Sequence, residues 1–217
     1  GRDGCRYSGQ LAASAPLGAR THGAWHVPSP LRPPYPRGAV CVIPLSMLRC
    51  IILDWSRCSW RGSAGANHAD ALGRLFTLAR AERPAAVVIV AASGGVRLHE
   101  ANPAEASLAR ALAALFALRA AGVPVLSLCA ADTFGGASVL VCGAERTAMV
   151  PGARLGLSGP AVIETAHGRS EIDASDADAV AALFGAQARS DAGCVDLVDD
   201  DADAVRNWIG AGIGASA

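Results

Sequence analysis

Two segments of this chain combine, in the same order, an apolar run, a pair of glycines and the start of a helix. The first is residues 85–92 (AAVVIVAA) followed by 93–95 (SGG), and the second is 123–129 (VPVLSLC) followed by 134–136 (FGG). Apolar runs of this length predict buried strands. A strand that ends in glycines before a helix presents backbone N–H groups that can hold an anion or a developing oxyanion. We therefore expect the two turns to bring N–H groups together over one carbonyl oxygen.

Strand-like and helix-like patterns alternate along the rest of the chain. This alternation predicts an α/β fold with right-handed crossovers. On pattern alone, a β-β-α superhelix fits, and a doubly wound open sheet fits almost as well. The predicted helices begin at Asn67 or Asp70 and at Asn102, and cover 135–143, 176–187 and 201–209; the predicted strands cover one or two segments of 40–55, then 85–92, 123–129, 146–150, 154–160 and 194–198.

Residues 1–38 carry six of the twelve prolines and no clear periodicity, so they predict an irregular N-terminal arm before a single domain over 39–217. The apolar stretch 39–55 is interrupted by Pro44 and Arg49 and is shorter than a membrane-spanning helix. We interpret it as core strands and expect no membrane partner. The formal net charge of +0 gives no general attraction to nucleic acid.

Side-chain chemistry narrows the possible mechanisms. All 19 basic residues are arginine, which excludes a lysine Schiff base. The seven cysteines show no CxxC spacing, so we expect no zinc ribbon and no metal site. Cys129 and Cys142 stand in apolar segments and predict reduced, buried thiols in a cytoplasmic protein.

The remaining polar candidates have simpler interpretations. Of the five histidines, we expect His68, His99 and His167 to lie at the surface or at helix ends. Ser63 lies in a small-residue turn, but the sequence has no Gly-x-Ser-x-Gly elbow for a serine peptidase. Residues 199–201 (DDD) predict a solvated loop and a helix cap.

Three motifs, in order, resemble the carboxyltransferase branch of the crotonase superfamily, and in particular the family of beta subunits of biotin-independent malonate decarboxylases. They are 93–102 (SGGVRLHEAN), the glycine pair after Phe134, and 154–164 (RLGLSGPAVIE). The likeness covers about 62–209. The chain departs from the family pattern at His99, where the family usually has glutamine, and at Asp132 and Thr133, where it has small residues.

The resemblance implies a crotonase-like β-β-α superhelix and a carbon–carbon lyase. Its substrate would be a malonyl thioester on the phosphopantetheine arm of an acyl carrier protein, and its products the acetyl thioester and carbon dioxide. The chain itself would bind no cofactor, and a homologous gamma subunit would complete the site. The expected site residues are Gly95 or Val96 and Gly136 as backbone donors, Gly94 and Gly135 as shapers of the turns, and Arg97, Phe134, Gly159, Pro160 and Glu164 beside the substrate.

Two alternatives remain open from the sequence. The first is a beta-type subunit of a biotin-dependent acyl-CoA carboxyltransferase, although the four-cysteine zinc module of many such chains is absent. The second is an inactive partner-binding subunit, which includes the product of a truncated or frame-shifted gene. The unmatched first 60 residues favour this second alternative.

Overall fold

The computed structural model describes residues 40–45, 48–54, 63–96 and 98–215, so the arm predicted for 1–38 lies outside it. Within these residues, strands and helices alternate as expected, with a short 3-10 turn at Leu98–Glu100 before the second helix. In chain order the elements are β1 (Val40–Leu45), β2 (Leu48–Asp54), β3 (Ser63–Ala64), α1 (Ala66–Glu82), β4 (Ala86–Ser93), β5 (Gly95–Val96), α2 (Ala101–Ala120), β6 (Val125–Phe134), α3 (Gly136–Cys142), β7 (Arg146–Met149), β8 (Leu155–Gly156), α4 (Pro160–His167), α5 (Ala177–Phe184), α6 (Ala186–Asp191), β9 (Asp196–Leu197) and α7 (Ala202–Ala215).

The order of the strands distinguishes between the two topologies left open by the sequence. The main sheet runs β1-β2-β4-β6-β7-β9, with β8 paired to the far end of β6, and β3 pairs with β5 in a second, small sheet. Except for β1, all the strands of the main sheet are parallel. A doubly wound sheet reverses its strand order at a switch point, whereas here the order follows the chain throughout. The units β2-β3-α1 and β4-β5-α2 therefore form the expected crotonase-like β-β-α superhelix.

Strand β4 lies at the centre of the core because both of its faces are covered. Alternate side chains of a strand point to opposite faces. Val88 and Val90 pack in a cluster that includes residues of β6, β7 and α7. Val87 and Ile89 pack in a second cluster with residues of α1, α2 and α3. This two-sided burial explains why β4 is a continuous apolar run rather than an alternating one.

Several predicted elements differ from the observed ones. The helix predicted over 176–187 is two helices, because Gly185 (ψ 156°) is extended and forms a bridge with Arg154. The strand predicted over 154–160 is only Leu155–Gly156, and Pro160 begins α4, where its missing N–H costs no hydrogen bond.

The prediction of two buried thiols was half wrong. Cys129 is buried, and its burial raises the pKa of the thiol to about 12. Cys142 is exposed, because it occupies the last turn of α3. No helix among the described residues is both long and apolar enough to span a membrane.

The carboxylate of Asp201 caps α7, as its position after two aspartates suggested. Its Oδ1 accepts the N–H groups of Asp203 and Ala204, each at 2.9 Å. We expect Asp201→Ala to lower the free energy of unfolding by about 1 kcal/mol, since α7 would begin with two unpaired donors. Urea denaturation measures this, with the exposed Asp199→Ala as control; an equal loss in both variants would contradict the cap.

Candidate functional site

The two glycine turns contact each other through their backbones. A Cβ on Gly135 would lie 3.0 Å from Gly95 Cα, and a Cβ on Gly95 would lie 3.2 Å from Gly135 Cα and from the Phe134 carbonyl oxygen. Both residues also have positive φ, 109° for Gly95 and 61° for Gly135. Glycine is therefore required at both positions for space and for conformation.

The sheet explains why the turns meet. Strands β4 and β6 are parallel neighbours, so their carboxyl ends reach the same edge. After an irregularity near Ala91, Ser93 pairs with Thr133, which places the two glycine pairs side by side. Gly94 is exposed, and Gly135 and Gly136 are half-buried. The contact thus lies at an open edge of the sheet, where loops of α/β proteins commonly bind ligands.

Some backbone N–H groups of the two turns already donate hydrogen bonds within the protein, and others are free to donate to a ligand. The N–H of Gly95 donates to Ser93 Oγ at 3.2 Å, and the N–H of Gly135 donates to the Leu157 carbonyl at 2.9 Å. Gly136 is the first residue of α3, so its N–H has no acceptor within the helix. No hydrogen bond joins that N–H to another described residue. Among the glycine amides at 95, 135 and 136, these contacts leave that of Gly136 open, while Val96 lies in β5, paired with Ala64 of β3.

Asp132 is paired, so its charge is largely neutralised at the turn. Arg154 Nε donates to Asp132 Oδ1 at 2.8 Å, and Arg154 Nη2 donates to Oδ2. The hydrogen bonds that Arg154 donates to the Asp132 carboxylate raise the pKa of Arg154 above its usual value. Asp132 differs from the small residue of the family pattern, but Arg154 pairs with it. The predicted anion site therefore has no unpaired carboxylate from Asp132 beside it.

Phe134, Gly159 and Pro160 lie together behind the turn. Phe134 is buried, and its ring meets that of Phe184 edge-on with 5.8 Å between centroids. A Cβ on Gly159 would lie 3.8 Å from the Phe134 ring, and Pro160 is buried. The Phe134 ring thus packs against Phe184 and beside Gly159, and Pro160 follows at the start of α4. Arg97, also expected near the substrate, lies outside the described residues.

Glu164 is engaged elsewhere. Its Oε1 accepts from Arg169 Nε at 2.8 Å, and its Oε2 accepts the N–H of Ala174 at 2.9 Å. The Ala174 hydrogen bond, followed by that of Arg169, lowers the pKa of Glu164 from its ordinary 4.5. Within the part of the chain that the structure describes, no hydrogen bond or ion pair joins this carboxylate to the glycine turns. The carboxylate instead ties α4 to the loop over 169–174.

This lowered pKa predicts a pH-dependent effect of Glu164→Gln. Because the folded pKa lies below the unfolded one, the carboxylate stabilises the protein fully above about pH 4.5 and loses this effect as pH falls through the folded pKa. We expect Glu164→Gln to lower the melting temperature at pH 7 and to converge with wild type in acid. Thermal melts across pH test this, with the exposed Glu171→Gln as control. A difference that persists in acid would contradict the assignment.

Glu100 has a role that sequence reasoning missed. Its Oε2 accepts the N–H of Ala66 at 2.6 Å, so the carboxylate caps α1 from 34 residues away. The contact requires a glycine at 65, where a Cβ would lie 2.2 Å from Glu100 Oε1. The signal available in the sequence was a glycine directly before a helix with no Asp, Ser or Thr to cap it.

The histidines are placed as expected. His99 and His167 are exposed, and His167 ends α4. His68 Nδ1 accepts the N–H of Gly65 at 3.3 Å in the first turn of α1. Each of these three histidines thus lies at the surface or at a helix end.

Comparison with known proteins identifies the family. The model of the carboxyl transferase domain matches residues 48–211, well over half of the chain. The chain belongs to the carboxyl transferase family. Its fold agrees with a Pseudomonas malonate decarboxylase hetero-tetramer solved in complex with malonate, at a TM-score of 0.72 and 27% identity over 81% of this chain and 66% of that chain.

Two curated relatives share parts of this carboxyl transferase sequence. The malonyl-S-ACP:biotin-protein carboxyltransferase of Malonomonas rubra is 42% identical over 96 residues, which cover 43% of this chain and 30% of the relative. The acetyl-coenzyme A carboxylase carboxyl transferase subunits beta/alpha of Salinispora tropica are 36% identical over 126 residues, which cover 56% of this chain and 21% of the relative. The chain thus spans less than a third of the length of these relatives.

Proposed function

We propose that this carboxyl transferase chain is a beta-type subunit that decarboxylates a malonyl thioester carried by an acyl carrier protein. The observation that carries the proposal is the backbone contact between Gly95 and Gly135. It joins the two glycine turns next to Gly136, whose N–H has no acceptor among the described residues. The malonate decarboxylase neighbour and the Malonomonas relative, which acts on malonyl-S-ACP, support malonyl thioester as the substrate class.

The reaction needs little from side chains. The bond between the carboxylate and the α-carbon breaks, and carbon dioxide leaves. The electron pair of that bond stays with the α-carbon and is delocalised into the thioester carbonyl, whose oxygen becomes the enolate oxygen. A fixed N–H donor at that oxygen lowers the barrier by about 3–4 kcal/mol. The N–H of Gly136 would supply one donor, and the turn over 94–96 contacts the preceding residue, Gly135. Protonation of the α-carbon then gives the acetyl thioester.

The proposal includes partners. The Pseudomonas neighbour is a hetero-tetramer. The glycine turns lie at an exposed edge, and Leu157, whose carbonyl fixes Gly135, is 69% exposed. The exposed edge thus leaves Leu157 accessible to a partner chain. We infer that a homologous gamma subunit completes the site and that the acyl carrier protein delivers the substrate there.

The test is conversion of malonyl-pantetheine thioester to its acetyl form, followed by mass spectrometry with and without a candidate gamma partner. Gly136→Pro removes the N–H at a helix position that tolerates proline. A Cβ at 136 would meet Leu108 Cδ2 at 2.2 Å and Val96 Cγ2 at 2.7 Å, so the control is Gly136→Ala, which adds the same Cβ but keeps the donor. Placing both changes in a Leu108→Ala background relieves the contact with Leu108.

We expect turnover that falls at least 100-fold in the proline variant relative to the alanine variant. Equal activity of the two would show that Gly136 does not donate to the enolate. No turnover by the folded chain together with its partner would overturn the decarboxylase proposal and favour an inactive partner-binding subunit.

A second candidate is carboxyl transfer to biotin, because both curated relatives carry carboxyl transferase names. The same enolate forms, but the carboxyl group goes to the biotin of another protein instead of leaving as free carbon dioxide. A substrate labelled with ¹³C in the carboxylate separates the two. Label in carbon dioxide supports decarboxylation, and label on added biotin supports transfer.

A further inference from the structure

We propose that Asp132 and Arg154 form a positioning pair that sets the orientation of the Gly136 amide. The inference rests on the function proposed above and adds a residue pair to that site. Neither side chain is placed against substrate. Both act through β8, the two-residue strand that follows Arg154.

The register puts the two residues directly opposite each other. Strand β8 is parallel to the end of β6, with Thr133 paired to Leu155 and Phe134 to Gly156. Asp132 and Arg154 each stand one residue earlier, and the Thr133 N–H donates to the Arg154 carbonyl at 2.8 Å. The pairing of β6 with β8 is only two residue pairs long. The bidentate contact between the Arg154 guanidinium and the Asp132 carboxylate adds a side-chain link directly before the first of these pairs.

The same ladder fixes the glycine turn. One residue beyond β8, the Leu157 carbonyl accepts the N–H of Gly135 at 2.9 Å. Gly135 has φ 61° and ψ −140°, the mirror image of an extended conformation, which glycine adopts as readily as others, so its hydrogen bonds select it. The peptide that follows Gly135 carries the N–H of Gly136. The direction of this donor therefore depends on β8 remaining paired with β6.

A matched pair elsewhere in the sheet provides the control. Arg146 on β7 donates to Asp196 Oδ2 on β9 at 2.7 Å. The side chains of Arg146 and Asp196 are 37% and 43% exposed, and those of Arg154 and Asp132 are 39% and 41% exposed. This second pair does not adjoin either glycine turn. Arg146→Gln thus reports the effect of losing an ion pair of similar exposure, together with the contact of Arg146 over the Trp208 ring at 5.7 Å, away from both turns.

The first test is amide hydrogen exchange by NMR on the full chain, which needs no enzymatic activity. In Asp132→Asn and in Arg154→Gln, we expect the Gly135 amide to exchange about 10-fold faster than in wild type. The Ser127 and Leu128 amides of β6 should keep their rates, and Arg146→Gln should leave Gly135 unchanged. An unchanged Gly135 rate in both variants would overturn the proposal.

The second test uses turnover of the malonyl thioester. Each single variant should lower kcat about 10-fold with KM within twofold, and the double variant should fall no further. Faster Gly135 exchange with unchanged kcat would overturn the positioning role. If wild type shows no turnover, the proposed function fails, while the exchange experiment still decides whether the pair fixes the turn.

Discussion

Gly135→Ala should unfold at lower denaturant concentration and lose at least about 100-fold in thioester turnover. A residue other than glycine at φ 61° and ψ −140° costs about 1–3 kcal/mol. The added Cβ would also press on Gly95 Cα at 3.0 Å, where neither backbone has a flexible group that can yield. We expect a total loss of about 3 kcal/mol. Urea denaturation and turnover, measured on the same preparation, test this.

Gly152→Ala is the matched control. Gly152 also has a positive φ, 85°, but a Cβ there meets nothing within 4 Å. Its replacement should cost about 1 kcal/mol, the conformational part alone, and leave turnover intact. Equal losses in the two variants would mean that the close approach of the turns contributes nothing, and the oxyanion site would lose its main structural support.

Glu100→Ala should lower the free energy of unfolding by about 2 kcal/mol. The carboxylate accepts the Ala66 N–H at 2.6 Å and places a negative charge at the positive end of the 17-residue helix α1. Gly65→Ala should have a similar effect, since the new Cβ would displace the carboxylate. Chemical denaturation of both variants measures the loss.

The double variant separates the cap from unrelated damage. With Glu100 already removed, Gly65→Ala has no carboxylate to displace, so the combined loss should stay close to that of Glu100→Ala alone. Glu105→Ala, an exposed glutamate on α2, should change stability by less than about 0.5 kcal/mol. Additive losses at 65 and 100 would show that the two positions do not share one interaction.

The main features of the fold were predictable because they depend on local composition. The run over 85–92 becomes β4, and the second glycine pair begins α3. Both follow from the residues themselves, because apolar side chains favour burial and glycine gives the backbone its freedom. The break at Gly185 was not predictable. It arises where the chain contacts Arg154, and no neighbouring residue encodes that contact.

The contact between the glycine turns was predictable to the same extent. The glycines marked the two turns, and their contact followed from parallel neighbouring strands. The partners of the turns came from far along the chain: Leu157 for the Gly135 amide, Arg154 for Asp132, and Arg169 and Ala174 for Glu164. A sequence pattern indicates that a carboxylate is present, but it does not show whether a distant donor has already engaged it.

Strand β9 determines how this sheet ends. An exposed edge strand with many free N–H and C=O groups recruits further strands, from other copies or from misfolded chains. β9 contains two residues, Asp196 and Leu197, and the carboxylate of Asp196 is held by Arg146 and by Trp208 Nε1 at 2.8 Å. At this edge the protein offers too short a template for strand addition. A chain that meets this edge would therefore have to contact helices and loops, and the sheet is protected from aggregation through β9.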